Sequence, residues 1–113
     1  MPMDANHQPT AYRLTIRRRV SDIDDWRLTI ERRIPRLRAA GVIGYSLLRV
    51  VDDHSETELV LEFDDRSKAE AMARELDLPE SRENMLQAGA MEIGSMWLAE
   101  ELARGRYDRY CRT

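Results

Sequence analysis

The chain has few of the residues that build disulfides, and it has no long hydrophobic run. Its 113 residues include one cysteine, Cys111, so no disulfide can form within the chain, and a cytoplasmic protein is the default expectation. No run is long enough to cross a bilayer, and the first residues contain no apolar segment typical of a signal peptide. We therefore expect no membrane partner.

Histidine is also scarce, and several catalytic motifs are missing. His7 lies in a polar opening stretch and His54 in a predicted loop, so neither position is typical of a general base or a metal ligand. The sequence contains no HExxH, no cluster of cysteine and histidine, no glycine-rich phosphate loop and no GxSxG. These absences argue against a metal site, nucleotide binding and serine hydrolysis.

Charged residues are abundant and unevenly distributed. The net charge of −3 argues against nucleic acid as the main partner. Residues 13–38 nevertheless hold nine arginines against four acids, whereas residues 52–101 hold fifteen acids. If strands from these two parts are neighbours in a sheet, facing side chains of opposite charge can pair.

The first predicted strand covers residues 12–20 and has two different faces. Leu14 and Ile16 lie on an apolar face, and the other face is basic. The basic positions are Arg13, Arg17 and Arg19. These arginines must find counter-charges or remain in water, and we expect Glu58 and Glu62 on a neighbouring strand to supply them.

A long amphipathic helix follows this strand. Ser21-Asp22-Ile23-Asp24 resembles a capping box, and Gly41 is a natural stop. Between them, apolar residues recur at helical spacing and predict one buried stripe, with a kink at Pro35. The stripe consists of Ile23, Trp26, Ile30, Ile34 and Leu37.

Two further strands are predicted over residues 42–51 and 57–63, joined by a polar loop over 52–56. In the second of them, alternate residues are apolar and predict one buried face. Val60, together with Leu48 of the preceding strand, is expected on the face that carries the charges. Val50 is expected there too.

The rest of the chain predicts two short helices and a last strand. Asp65 or Ser67 caps the first short helix, and Pro79 begins the second, which Gly89 closes. Residues 95–102 alternate loosely and predict the last strand.

This order, β-α-β-β-α-β with the second helix broken in two, predicts a ferredoxin-like α+β fold. Its four-stranded antiparallel sheet has the first and third strands as central neighbours and helices on one face. We expect a single domain over residues 11–103, between a flexible segment (1–10) and a C-terminal tail (104–113).

Several short pieces of sequence, in order and spacing, resemble a known group of proteins. They are Asp25-Trp26, Ala40-Gly41-Val42-Ile43-Gly44, Glu62-Phe63-Asp64-Asp65 with Ala69, Met85 with Ala88-Gly89, and Leu98-Ala99-Glu100-Glu101. From about residue 12 to 102, the chain resembles the dimeric α+β barrel superfamily. It is most similar to small proteins grouped around antibiotic-biosynthesis monooxygenases and polyketide cyclases.

The resemblance implies a homodimer in which two sheets close into a barrel, with a hydrophobic pocket between each sheet and its own helices. It also implies an enzyme without a cofactor, a monooxygenase or cyclase of an aromatic or polyketide-like metabolite. Haem-degrading relatives hold iron with a histidine that this chain lacks at a matching place. The alternative is a non-catalytic homodimer that binds a small hydrophobic ligand or assists a partner enzyme.

Candidate ligand-binding residues follow from this resemblance and from the helix stripe. They are Trp26, Ile30, Tyr45, Phe63, Met85 and Trp97, with Arg33 at the pocket mouth. The hydroxyl of Tyr45 could orient a ligand or donate a proton, which makes it the one candidate catalytic group. Each residue also has a structural interpretation, as a core anchor for the apolar ones and a solvated charge for Arg33. For Arg17 and Glu62 the structural interpretation, a sheet-aligning ion pair, is preferred.

Overall fold

The structure, a computed structural model, describes residues 11–87 and 90–105, and for residues 90–93 only the backbone. The segment 1–10, the helix end predicted at Gly89 and most of the tail lie outside these residues. The strands are β1 (Tyr12–Val20), β2 (Val42–Val50), β3 (Asp53–Phe63) and β4 (Ala90–Glu100). The helices are α1 (Ile23–Ala39), α2 (Arg66–Leu76) and α3 (Pro79–Gln87).

The four strands form one antiparallel sheet in the order β2-β3-β1-β4. The predicted ferredoxin-like α+β fold is confirmed, with β1 and β3 as central neighbours and the second helix broken into α2 and α3. Leu14, Leu61 and Phe63 on one face of the sheet share a buried cluster with Trp26 of α1 and Met72 of α2. The helices therefore cover this face, and the opposite face is called the helix-free face.

The helix-free face carries the alternate residues of the two central strands. On β1 and β3 these are Arg13, Thr15, Arg17, Arg19, Glu56, Glu58, Val60 and Glu62. The burial pattern of β3 alternates strictly, with every second residue from Thr57 to Phe63 buried against the helices. Leu48 of β2 lies opposite Glu58, which confirms that an apolar side chain shares the charged face.

Helix α1 begins one residue later than the capping-box interpretation placed it. The N-cap is Asp22 and not Ser21, and its Oδ1 accepts hydrogen bonds from the backbone amides of Asp24 (2.9 Å) and Asp25 (3.1 Å). A carboxylate satisfies two free amides here and carries the charge that a helix N-terminus favours. At the other end Gly41 has a φ of +103°, the left-handed conformation predicted for it.

The apolar stripe of α1 faces the sheet as predicted. Trp26 and Ile30 are buried in the core, while Ile23, Ile34 and Leu37 are half-buried around them. Pro35 lies inside the helix, and the kink there stays a prediction. For α2, Asp65 is the cap rather than Ser67, since its Oδ1 accepts from the Ser67 hydroxyl (2.6 Å) and amide (2.8 Å). These hydrogen bonds, the hydroxyl's above all, lower the pKa of Asp65.

The predicted starts of β3 and β4 were wrong, because both strands begin before their first alternating hydrophobic residue. The loop expected over 52–56 is reduced to a turn at Val51 and Asp52, and His54 belongs to β3. The polar start of β3 is held in the sheet by charge, since Glu56 lies opposite Arg19 with 3.4 Å between their charged groups. Similarly, β4 begins at Ala90 instead of residue 95 because it pairs with the whole length of β1.

A β-bulge interrupts the pairing of β1 with β4. Ile16 pairs with Met96 and Arg18 with Ile93, so Gly94 and Ser95 both lie opposite Arg17. A Cβ atom at Gly94 would lie 2.3 Å from the carbonyl oxygen of Arg17. Only glycine fits this approach, because the neighbouring atom belongs to the backbone and cannot rotate away.

Replacing Gly94 with alanine should therefore destabilise the protein by about 1–3 kcal/mol, because the two strands must separate locally. Gly105→Ala is the matched control, since a Cβ there meets nothing within 4 Å. Urea unfolding followed by circular dichroism measures both. Equal midpoints for the two variants would contradict the close approach at the bulge.

Candidate functional site

A cleft of about 500 Å³ lies between α1 and the edge strand β2. Helix α1 lines it with Ile23, Asp24, Arg27, Ile30 and Glu31, and β2 with Tyr45, Leu47, Leu48 and Arg49. Buried Ile30 and half-buried Leu47 give the cleft an apolar floor. At its rim, Arg27 Nε lies 3.3 Å from Glu31 Oε2, so these two charges compensate each other. The volume falls in the range of sites that hold small organic ligands.

The cleft brings together two of the predicted site residues, Ile30 and Tyr45. The register of β2 places Tyr45 opposite Leu61, on the helix-covered side of the sheet, and 42% of its surface is exposed. Its hydroxyl makes no hydrogen bond with any residue that the structure describes. A free phenol beside an apolar floor can donate a hydrogen bond, or a proton, to a ligand in the cleft.

The structure does not bring the other buried candidates to this cleft. Trp26, Phe63 and Met85 pack together in the core, each less than 5% exposed. Their side chains therefore belong to the core and not to the lining of this cleft. The Trp26 indole N–H is buried and has no acceptor among the described residues. A buried donor in this state costs roughly 1–3 kcal/mol of stability.

The last two predicted site residues, Arg33 and Trp97, also lie outside this cleft. Arg33 borders a separate cavity of about 440 Å³, which the ends of α1, α2 and α3 enclose. Trp97 lies opposite Thr15, between Met96 and Leu98, which pack against the core. By the alternation of a strand, Trp97 is on the helix-free face, away from every helix-side cavity, and is 44% exposed.

The helix-free face carries ion pairs, with two partners different from those expected. The register sets Arg13 opposite Glu62 as predicted, yet Arg13 Nη2 pairs with Glu101 (2.7 Å) and Glu62 pairs with Arg104 (3.1 Å). The reason is that the chain continues along β1 past the end of β4, where the Glu101 amide donates to the carbonyl of Ala11. Arg104, assigned to the tail by the sequence, thereby contacts the sheet.

Of the remaining pairs, that of Arg17 with Glu58 was predicted, whereas Glu56 and Asp53 were expected in a loop. Arg17 lies 3.8 Å from Glu58 and 3.7 Å from Glu56, and Arg19 lies within 3.5 Å of Glu56 and Asp53. Arg17 therefore pairs across β1 and β3, whereas Glu62 pairs with the segment after β4 and not with Arg17. The arginines are about 40% exposed, so each pair contributes only about 0.2–1 kcal/mol in a single protomer.

Arg18, which is not among the predicted site residues, is the most buried charged residue described. Arg18 is 2% exposed and lies on the helix-covered face, with Leu14, Ile16 and Val20. The alternation of the strand could have identified it, because position 18 has the parity of the apolar residues. Burial, and secondarily the nearby Arg82, lower the pKa of Arg18.

Within the described part of the chain, no group of three or more histidine, cysteine or acidic side chains could hold a metal ion. None of the helices there has the length and apolar character needed to cross a membrane.

Comparison with known proteins gives similarity in structure only. No protein-family model and no curated protein sequence matches the chain. A protein from Bordetella bronchiseptica, provisionally named an antibiotic biosynthesis monooxygenase, superposes with a TM-score of 0.67 at 16% identity. The match covers 85% of this chain and 100% of that one.

Two other solved structures are similar. A dimeric ferredoxin-like protein from an uncultured marine organism gives a TM-score of 0.61 at 18% identity, over 87% of this chain and 100% of that one. SnoaB from Streptomyces nogalater, a cofactor-independent oxygenase, gives a TM-score of 0.56 at 16% identity, over 86% of this chain and 96% of that one. At these identities the similarity establishes the fold, and the resemblance noted in the sequence is confirmed at that level.

Proposed function

We propose that the chain is a small enzyme that acts without a cofactor on an aromatic or polyketide-like metabolite, as a monooxygenase or a cyclase. The observation that carries this proposal is the cleft between α1 and β2, with the free hydroxyl of Tyr45 above an apolar floor. The fold that the chain shares with SnoaB, a cofactor-independent oxygenase, supports it.

In this proposal the protein contributes position and exclusion of water, and the substrate contributes the reactivity. An electron-rich ring would lie against Ile30 and Leu47, with an oxygen substituent toward the Tyr45 hydroxyl. Removing water from one side of the ring strengthens that hydrogen bond and holds one reactive conformation. Tyr45 would then orient the substrate or supply a proton as negative charge develops.

We further propose that two copies associate through their helix-free faces. A solved structure with the same fold is named a dimeric ferredoxin-like protein, which supports association into a dimer. Leu48 (51% exposed) and Trp97 (44% exposed) on this face would be covered, together with half-buried Val60. Large apolar side chains among compensated charges are typical of interfaces between protein surfaces. Covering the face would also strengthen its ion pairs by excluding water.

The second candidate is a non-catalytic homodimer that binds a small hydrophobic ligand or assists a partner enzyme. One observation favours it: besides Tyr45, the polar groups lining the cleft are charged residues at its rim, and no histidine lines it. Binding without chemistry requires only the apolar floor and one orienting hydroxyl. A cytoplasmic location remains our expectation for either function.

Turnover distinguishes the two candidates. Oxygen uptake and product formation should be measured with a panel of anthrones and quinols, for the wild type, Tyr45→Phe and the control Tyr12→Phe, whose side chain lies outside the cleft. The enzyme proposal predicts that Tyr45→Phe lowers kcat about 10²–10⁴-fold while ligand affinity changes little. Tyr12→Phe should retain the wild-type rate.

Binding of a panel compound without turnover would instead establish the accessory function. No binding and no turnover across the panel would contradict the assignment of the cleft as a ligand site.

Association through the helix-free face predicts that Trp97→Glu lowers the dimer population at micromolar concentration. Position 97 lies opposite Thr15, between Arg13 and Arg17 of the neighbouring strand, so these arginines can compensate the new carboxylate and the protomer should stay folded. In the dimer, the same carboxylate would be a charge buried in the interface. Leu28→Glu is the control, because Leu28 is similarly exposed (46%) on helix α1. Sedimentation velocity measures both. A monomeric wild type, or a Trp97→Glu variant as dimeric as Leu28→Glu, would contradict the interface.

A further inference from the structure

The side chain of Arg18 is buried without a counter-charge among the residues that the structure describes. Its Nε donates to the Sδ of Met85 (3.2 Å) and its Nη1 to the carbonyl of Arg17 (2.9 Å). No hydrogen bond joins its Nη2 to any described residue, and no described carboxylate lies within ion-pair distance of the guanidinium. The three exposed-face arginines of the same strand each have an acidic partner. Arg18 is thus the one arginine of β1 without such a partner among the described residues, although a buried charge needs a partner more than an exposed one does.

A cavity of about 400 Å³ opens beside Arg18, between α2, α3 and the bulged part of β4. It is lined by Arg18, Arg74, Arg82 and Asp77, with Ala73, Leu76, Gly94 and Met96. Three guanidinium groups and one carboxylate give the lining a net charge of +3 − 1 = +2. Neither Arg74 nor Arg82 pairs with an acid among the residues described. We call this space the arginine cavity.

The bulge at Gly94 helps to form the arginine cavity. It sets two residues of β4 opposite Arg17, and one of these, Gly94, lines the cavity without a side chain. The Arg17 carbonyl close to Gly94 also accepts the hydrogen bond from Arg18 Nη1. The same irregularity therefore leaves room beside the guanidinium and fixes its orientation. Bulges that direct a side chain in this way are common next to binding sites.

We propose that the arginine cavity binds a small organic anion, whose carboxylate or phosphate group is held by Arg18 and Arg82. Guanidinium groups bind such oxyanions through two parallel hydrogen bonds, and the Nη2 of Arg18 is still available for one. The half-buried side chains of Leu76 and Met96 would contact an apolar part of the ligand. This site is distinct from the cleft of α1 and β2, and the inference does not depend on the proposed function.

A structural role alone explains the arrangement less well. A thioether sulfur is a weak acceptor, and Arg82 adds a like charge next to a guanidinium that burial already disfavours. In the absence of an anion, this arrangement destabilises the protomer. An oxyanion between Arg18 and Arg82 removes both costs, since it supplies the missing acceptors and separates two positive charges.

The test is a titration of the full-length protein, followed by NMR of backbone amides at constant ionic strength, with benzoate, inorganic phosphate and neutral benzamide as probes. We expect saturable shifts at Gly94, Met96 and Ala73 with benzoate or phosphate, and none with benzamide. Tighter binding of benzoate than of phosphate would indicate a ligand with a carboxylate group. Tighter binding of phosphate would indicate a phosphorylated ligand. No saturable shift with either anion up to tens of millimolar would overturn the proposal.

Variants locate the binding. Arg82 is exposed, so Arg82→Gln should fold normally, and we expect it to weaken anion binding about tenfold, the loss of one charged hydrogen bond of about 1.4 kcal/mol. Arg32→Gln removes the same charge from an exposed position of α1 that does not line the arginine cavity, and it should leave affinity within about twofold. Equal weakening in the two variants would mean attraction to general positive charge and would overturn the site.

Arg18→Met supplies a second, independent readout. The wild type should gain thermal stability when benzoate or phosphate is added, because the anion binds only the folded protein. Arg18→Met should lose this gain, even if its stability without anion is equal or higher. An undiminished gain in Arg18→Met would contradict a role of Arg18 in binding.

Tyr45→Phe should bind the anion with the affinity of the wild type. Anion binding in the arginine cavity can therefore be judged separately from ligand binding or turnover in the cleft between α1 and β2.

Discussion

The period-two alternation of β1 is the constraint on which the rest of the structure depends. This strand pairs with a neighbour on both sides, so its backbone cannot rotate to redistribute its side chains. Leu14, Ile16 and Val20 must face the helices, and three arginines must face away from them. The same alternation places the side chain of Arg18 on the helix-covered face, with the core. A slip of one residue would bury three arginines and expose the apolar set, so the register is strongly determined.

The two faces of the sheet consequently have different chemistry. On the helix-free face, arginines meet acids from β3 and from the segment after β4, and apolar side chains remain exposed among them. On the helix-covered face, an apolar core encloses one guanidinium that has no acid partner in the described chain. We propose contact with another protein surface for the first face and binding of small molecules for the cavities of the second. The two proposed sites for small molecules lie at opposite edges of the helical layer.

Periodicity and caps predicted the element order and the charged face of β1, because these depend on local patterns. The sheet topology followed from the handedness of the β-α-β connections. The errors have identifiable physical causes. Strand pairing extended β3 and β4 beyond their hydrophobic residues. The partners of Arg13 and Glu62 depend on how the chain continues after β4, which no local pattern specifies. The bulge does have a local signal, since a glycine inside a strand indicates a bulge or a close backbone approach, but the strand predicted over 95–102 does not include Gly94.

The candidate sites were less predictable than the fold. Which aromatic residues line a cavity depends on how side chains from distant elements fill the core, and Trp26, Phe63 and Met85 pack there together. Tyr45 remained available because it lies on an edge strand, where the sheet extends beyond the helical cover. Arg18 was predictable in principle, since the alternation that was applied to Leu14 and Ile16 also applies to position 18.

The most direct test of this account is the solvent exchange of the arginine Nε–H groups, resolved by NMR with assigned side-chain resonances. Arg18 Nε–H should exchange many-fold more slowly than that of exposed Arg32, because it is buried and donates to Met85. Exchange of Arg18 as fast as that of Arg32 would show that position 18 faces solvent. The division of the two faces, and both uses inferred from it, would then be contradicted.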